Sequence, residues 1–400
     1  MFMEKKLDQW ARKIRATNEL ALLVDLWNGK QISFSQNQPE VILRISSPST
    51  LSYLLTPSLF NLGSAYVEGK IDVEGKPEAI IAMGNALAGA TLRPIGKYAR
   101  RIYSSWHTRK NDREAIRYHY DVSNEFYQLW LDPRMVYSCA YFANGDESLE
   151  QAQVNKIEHI LNKIRLRPDE TLLDIGCGWG ALVIHAAQKY GAKCVGVTIS
   201  ENQARLARER VEQAGLSNRV EIRLQDYRDV TGRFNKITSV GMFEHVGLKH
   251  LPAYFSKIQT LLTDDGMALN HGITTSDADN GASPYGNAEF VDRYIFPQGE
   301  LPHLGLAIKA MQMGGLETLD VENLRRHYVR TCQLWSDNFE EHAQQVRQAV
   351  GEKKYRIWRL YLAGSAYAFR QDWISLYQIV CVKAGRHPDD LPWSRRYLYQ

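Results

Sequence analysis

The chain has no cysteines in CxxC spacing, and its five cysteines (Cys139, Cys177, Cys194, Cys332 and Cys381) are an odd number. Both facts argue against a disulfide framework and a zinc knuckle, and they suit a reducing cytoplasm. No metal site is expected. The longest apolar runs, such as LALLVDLW and WISLYQIVCV, fall far short of the roughly 20 residues of a bilayer span. The opening stretch MFMEKKLDQWARKIR lacks an apolar segment followed by a small-residue cleavage site, so no signal peptide is expected. Internal repeats and low-complexity tracts are also missing.

What is present describes a globular protein. At 400 residues the chain exceeds one ordinary core, so two domains are expected. Its 44% apolar and 24% charged residues exclude disordered and membrane-spanning classes. The net charge of +4 is unevenly placed. From Arg93 to Arg117, eight basic residues face only Asp112 and Glu114, a local +6 that leaves −2 for the remainder. A cationic stripe on a near-neutral protein suits an anionic surface. A solvated linker helix explains the same stripe. Nucleic acid is not expected, because no nucleic-acid motif accompanies the charge.

Residues 1–92 read as a small α/β domain. KKLDQWARKI places Leu7, Trp10 and Ile14 on one helical face. EVILRI reads as a strand, and KIDVEGKPEAIIAMGNAL as strand, turn and helix with Pro77 near the helix start. Residues 93–114 read as a basic linker. From 115 to 400, strands alternate with helices: TLLDIG, KCVGVTI, RVEIRLQD, NKITSVG and MALNHGIT. That alternation means a parallel sheet covered on both faces. WISLYQIVCVKAG closes the pattern as a last strand, expected antiparallel at the sheet edge.

LLDIGCGWGALVIHAA is strand, tight loop and helix, with Gly176, Gly178 and Gly180 at the turn. A phosphate loop would need Gly-Lys-Ser/Thr, which is absent. A dinucleotide loop would space its glycines GxGxxG and follow the second strand with an acid. Here the spacing is GxGxG, and Thr198, Ile199 and Ser200 end the second strand. With Asp174 just before it, the loop fits the amino-acid and ribose part of S-adenosylmethionine, where no pyrophosphate needs a helix dipole.

YSCAYF, LLDIGCGWG, GVTISENQ, MFEHVG and RRHYVRT occur in that order. Together they resemble the cyclopropane-fatty-acyl-phospholipid synthases, which include the mycolic-acid cyclopropane synthases. The likeness covers about 115–400, and AYVEGKIDVEG extends it to the N-terminal domain of the phospholipid-acting branch. The resemblance implies a Rossmann-like class I methyltransferase fold with a seven-stranded sheet. It implies addition of a methylene from S-adenosylmethionine to a cis double bond of a lipid acyl chain, with a bound bicarbonate ion. Carried over by motif, the ion contacts are Cys139, Glu244, His271, Ile273 and Tyr328. The cofactor contacts are Tyr120, Tyr137, Ser138, Asp174, Gly176, Gly178, Thr198 and Gln203, with Asp226 and Tyr227 bordering the adenine. A homodimer, an unsaturated phospholipid substrate and a cytoplasmic enzyme peripheral to the inner membrane surface are also implied.

The residue types suit such chemistry. Methyl transfer to an alkene leaves a carbocation, so water must be excluded and a base must be at hand. Eight aromatics fall between Tyr118 and Phe142, and their ring faces attract cations by about 0.5–2 kcal/mol each. Backbone N–H groups near Cys139 and Ile273, the His271 imidazole and the Tyr328 hydroxyl are expected to donate to the anion, with Glu244 accepting from it, orienting His271, or both. Leu7, Trp10 and Ile14, with Lys5, Lys6, Arg12 and Lys13 around them, are read as an interfacial helix. Two rival readings stand: a methyltransferase that stops at a branched lipid or a small molecule, and a lipid-binding protein without catalysis.

Overall fold

LLVDL and VILRI form strands in which burial alternates, so that one face of each is covered. The computed structural model describes residues 2–17, 20–55, 57–91, 122–278, 287–296, 299–387 and 391–399. One unit gathers Met1–Tyr103, Gly281–Pro297 and Trp335–Ala368; the other gathers Ser104–Asn280, Gln298–Leu334 and Phe369–Gln400. The division read from the sequence (1–92, 93–114, 115–400) followed chain order, whereas two later segments return to the first unit. Long-range bonds hold one of them there: the Arg356 guanidinium donates to Tyr66 O at 2.9 Å and that of Arg359 to Gly75 O at 3.0 Å. The linker residues 93–114 lie outside the described residues.

The first unit has a four-stranded sheet of β1 (Leu22–Leu26), β2 (Gln31–Ser33), β3 (Val41–Ile45) and β4 (Ile71–Glu74), in the order β2-β1-β3-β4. The helix Phe2–Thr17 packs its apolar face on this sheet. Leu7 and Ile14 are buried, and Trp10 meets Phe34 edge-on at 5.5 Å. This corrects the interfacial-helix expectation, because the stripe meant for lipid is occupied by the unit's own core.

The second unit is built on a seven-stranded sheet. Its strands are β5 (Thr171–Ile175), β6 (Lys193–Thr198), β7 (Val220–Leu224), β8 (Phe234–Val240), β9 (Leu262–Thr275), β10 (Leu316–Asn323) and β11 (Ile374–Lys383). The order is β10-β11-β9-β8-β5-β6-β7. β5 to β9 pair in parallel, and β11 runs antiparallel to both neighbours. The last strand is therefore antiparallel as expected but interior. β10 takes the edge, where Asp320 pairs with Arg395 and Glu322 with His159 and Lys163. The chain order reverses between β5 and β8, and ligands bind beyond the strand ends at such a switch point. Among the described residues, no helix is long and apolar enough to cross a membrane.

Candidate active site

The glycine turn follows β5 directly. Gly176 and Gly178 have φ of +81° and +54°, left-handed values that a side chain would strain. A Cβ on Gly176 would meet Met242 Cγ at 3.0 Å, whereas one on Gly178 would meet nothing within 4 Å. Gly178 therefore leaves its backbone open to a cavity of about 410 Å³ above β5, β6 and β8. Pockets of roughly 300–1,000 Å³ hold small molecules.

This cavity is lined by Tyr137, Ser138, Asp174, Gly176, Gly178, Thr198, Gln203, Asp226 and Tyr227. Those are the sequence-derived cofactor candidates apart from Tyr120, which lies outside the described residues. Their positions follow from local bonding. Thr198 Oγ1 donates to Gln203 Oε1 at 2.8 Å, and Ser200 caps the next helix by accepting from Gln203 N. Asp226 is held by the Arg228 guanidinium, with a 2.6 Å contact at Oδ2. Asp174 accepts from Thr238 Oγ1 at 2.7 Å. Burial pushes its carboxyl up to about 6, while the Thr238 hydroxyl and the Lys156 ammonium oppose the rise.

The YSCAYF segment has no regular structure, so side chains satisfy its backbone. Gln153 Nε2 donates to Val136 O at 3.2 Å and Ser138 O at 2.8 Å. Thr331 Oγ1 accepts from Ala140 N at 3.1 Å, and His327 Nδ1 from Phe142 N at 3.0 Å. Lys156 Nζ donates to Ser138 Oγ at 2.8 Å. Gln153 and Lys156 are neighbours on one face of the helix Leu149–Lys163. Both were missed from sequence, and no local signal marks them, because the buried face of this helix also carries His159 and Lys163. Aromatics back the segment: Tyr137 lies 5.3 Å from Trp130 and 5.7 Å from Tyr127, and Tyr127 lies 5.1 Å from Trp179.

Cys139, Glu244, His271, Ile273 and Tyr328 do not line this cavity, but bonds link them across the strand ends beside it. Val240 pairs with His271, so β8 ends where β9 continues. Gly241, which lines the cavity, donates its N–H to His271 O at 2.8 Å. Beyond that point Glu244 replaces the missing strand, its Oε1 accepting the Ile273 N–H at 2.7 Å. Ile273 pairs with Leu376, whose carbonyl accepts from Leu324 N, and Leu324 O accepts from Tyr328 N. The Cys139 thiol reaches the same Leu324 O at 3.8 Å.

Two expectations about these groups change. The Ile273 N–H is spent on Glu244 and is not available to an anion. His271 is oriented by Gln378, whose Nε2 lies 3.2 Å from His271 Nδ1, not by Glu244. Glu244 Oε2 and His271 Nε2 are buried with no hydrogen-bond partner among the described residues. Burial raises the Glu244 carboxyl to about 7, opposed by the Ile273 and Glu244 backbone N–H groups. Burial, reinforced by Lys156 and Lys163, pushes His271 well below its ordinary value, so the ring is neutral. Burial also pushes the Cys139 thiol up, away from a reactive thiolate.

The chain is similar in sequence and fold to known proteins. Residues 107–379 match the family described as mycolic acid cyclopropane synthetase, and residues 10–94 match a domain of unknown function (DUF7884). A probable fatty acid methyltransferase of Pseudomonas putida is 45% identical, covering 95% of this chain and 97% of its own. The cyclopropane-fatty-acyl-phospholipid synthase of Escherichia coli is 34% identical, covering 84% and 87%. The crystal structure of a mycolic acid cyclopropane synthase complexed with SAH and CTAB superposes with a TM-score of 0.65 at 34% identity, covering 68% of this chain and 98% of that one. The chain therefore belongs to the mycolic acid cyclopropane synthetase family and has the fold of S-adenosylmethionine-dependent methyltransferases.

Proposed function

We propose that the protein delivers the methyl carbon of S-adenosylmethionine to the cis double bond of a phospholipid acyl chain and closes a cyclopropane ring, with a bound bicarbonate as base. The observation that carries the reading is that Glu244 Oε2 and His271 Nε2 are both buried without a partner among the described residues, on segments adjoining Gly241 of the cavity wall, whose N–H donates to the His271 carbonyl. A buried polar atom without a partner is costly, so such a pair marks a place for a small polar group. A neutral imidazole and a carboxyl that titrates near 7 fit an anion that carries its own hydroxyl. With the Gln378 amide donating to Nδ1, the His271 proton sits on Nε2, where it can be given to such an ion. When bound, bicarbonate would supply a proton acceptor, and S-adenosylmethionine an electrophilic methyl.

The chain's own residues do the rest. Tyr137 and Trp179 line the cavity and offer their rings to positive charge, with Trp130 and Tyr127 packed behind them. Glu244 holds or releases a proton at Oε2. Cys139 acts through its backbone and its volume, because its thiol is buried and protonated. Cys139→Ser is therefore expected to keep activity within about tenfold of wild type, the loss coming from packing; complete inactivity would assign the sulfur a chemical role.

The basic stripe Arg93–Arg117 completes the reading by holding anionic headgroups, at about 1 kcal/mol per basic residue near the surface. The enzyme would work as a homodimer on the cytoplasmic face of the membrane. A second reading, favoured by the likeness to a probable fatty acid methyltransferase, stops at a methyl-branched chain. The test is methyl-labelled S-adenosylmethionine with vesicles of mono-unsaturated phosphatidylglycerol and phosphatidylethanolamine, followed by mass analysis of the acyl chains. A labelled chain gaining one CH2 and resisting mild hydrogenation supports the ring. Uptake of hydrogen supports the branched product, and absence of acyl label overturns both. Labelling should fall as salt rises.

A further inference from the structure

Lys156 is 2% exposed, yet its side chain lines the cofactor cavity. An ammonium has three protons to donate, and Lys156 gives one to Ser138 Oγ at 2.8 Å. No carboxylate among the described residues lies within ion-pair distance of it; Asp132 and Asp174 act on it only through space. Burial brings Lys156 down to about 8, with Asp132, Cys139 and Asp174 opposing the fall, so it is mainly charged at neutral pH. A buried cation without a counterion is costly unless a ligand supplies one.

The cavity's chemistry says which ligand group that is. The sulfonium of the methyl donor is positive and would be repelled by Lys156, so the ammonium belongs at the far end of the methionyl moiety. That end is a zwitterion. The buried Asp174 carboxyl at the end of β5 suits its amine, and Lys156 suits its carboxylate. We infer that Lys156, steadied by Ser138, is the cationic anchor for the α-carboxylate of S-adenosylmethionine. The inference rests on the assignment of this cavity to that donor.

The test compares S-adenosylhomocysteine with 5′-methylthioadenosine, which keeps the nucleoside and sulfur but lacks the amino-acid carboxylate. Isothermal titration of the full chain in bicarbonate-free buffer reads each affinity. Lys156→Met should weaken S-adenosylhomocysteine by roughly ten- to a hundredfold, the size of a charge-assisted hydrogen bond, and leave 5′-methylthioadenosine within about twofold. Lys156→Arg should recover part of the loss.

Wild type supplies a second measurement should the variants fold poorly. The groups facing Lys156 are Asp132 from the preceding turn, Cys139, Asp174 from β5 and His271 from β9. Because the charged lysine and the ionised Asp174 are the binding forms, S-adenosylhomocysteine affinity should be full between about pH 6 and about pH 8 and fall above that range as Lys156 loses its proton, while 5′-methylthioadenosine stays flat. Equal losses for both ligands in Lys156→Met, or no loss for either, would overturn the inference. So would an unchanged S-adenosylhomocysteine affinity with an altered response to added bicarbonate, which would assign the ammonium to the inorganic anion. If wild type bound neither nucleoside, the assignment of the cavity itself would fall.

Discussion

Glu244→Gln is expected to lose turnover by about a hundred- to ten-thousandfold while making the protein more stable at alkaline pH. Both halves follow from one geometry. Glutamine keeps the acceptor that Oε1 offers to the Ile273 N–H, so the FEHVG turn stays docked on β9. It replaces Oε2, the buried atom without a partner, with an amide that cannot take up or release a proton. The stability sign comes from linkage. The folded carboxyl titrates at about 7 against an ordinary 4.5, so the folded protein binds this proton more tightly than the unfolded chain. Wild type therefore carries no penalty below about 4.5 and loses stability as pH rises through 7. A shift of that size is worth on the order of 3 kcal/mol at 1.36 kcal/mol per pH unit. Thermal denaturation at pH 8.5 should show the variant melting several degrees above wild type, and the two should converge toward pH 4.5. A variant that retained full rate, or melted lower than wild type at pH 8.5, would remove Glu244 from the proton-handling role. Such opposite effects on rate and stability are the signature of a charge kept buried for function rather than for folding.

The parts of this site legible in the sequence are those whose cause is local. A glycine turn between an apolar strand and a helix announces itself, and Gly176 and Gly178 do line the cavity. Ser200 caps a helix, and its neighbours Thr198 and Gln203 follow from the same turn. What was missed depends on partners far away in the chain. Lys156 reads as one more solvated lysine until the helix Leu149–Lys163 is docked and its face is covered. Gln378 meets His271 across 107 residues, and Thr331 meets Ala140 across 191. The same limit governs topology. WISLYQIVCV reads as a closing strand, but its two buried faces place it inside the sheet only because β10, whose alternation is weak and acidic, folds back beyond it. The helix Phe2–Thr17 shows the converse error: amphipathicity reveals that a face is covered, not whether lipid or protein covers it.

Gly272→Ala is expected to be the most damaging single-methyl change near the site. Gly272 sits in β9 between His271 and Ile273, and a glycine inside a strand marks close approach by another group. Here that group is the Phe243 ring: a Cβ would fall 2.0 Å from its Cε1 and 2.3 Å from its Cδ1. Phe243 is 1% exposed and packs in the core with Val246, Tyr254 and Phe255, so it cannot tip outward. The added methyl must push the ring, and the ring is bonded in sequence to Glu244. Overpacking of this kind costs about 1–3 kcal/mol, and displacement of Glu244 from the Ile273 N–H by even an ångström is worth roughly a hundredfold in rate. Turnover should therefore collapse, with a lower melting temperature, while S-adenosylhomocysteine affinity falls less, since the Gly176–Gly178 turn is not the point of collision. The decisive arm is compensation. Phe243→Leu removes the atoms that collide, so the double variant Gly272→Ala/Phe243→Leu should melt higher than the sum of the single changes allows, a coupling of about 0.5–3 kcal/mol. Strict additivity, or a Gly272→Ala protein with wild-type rate, would mean that the ring does not lie on the strand here and that Glu244 is positioned by something other than the docking of FEHVG on β9.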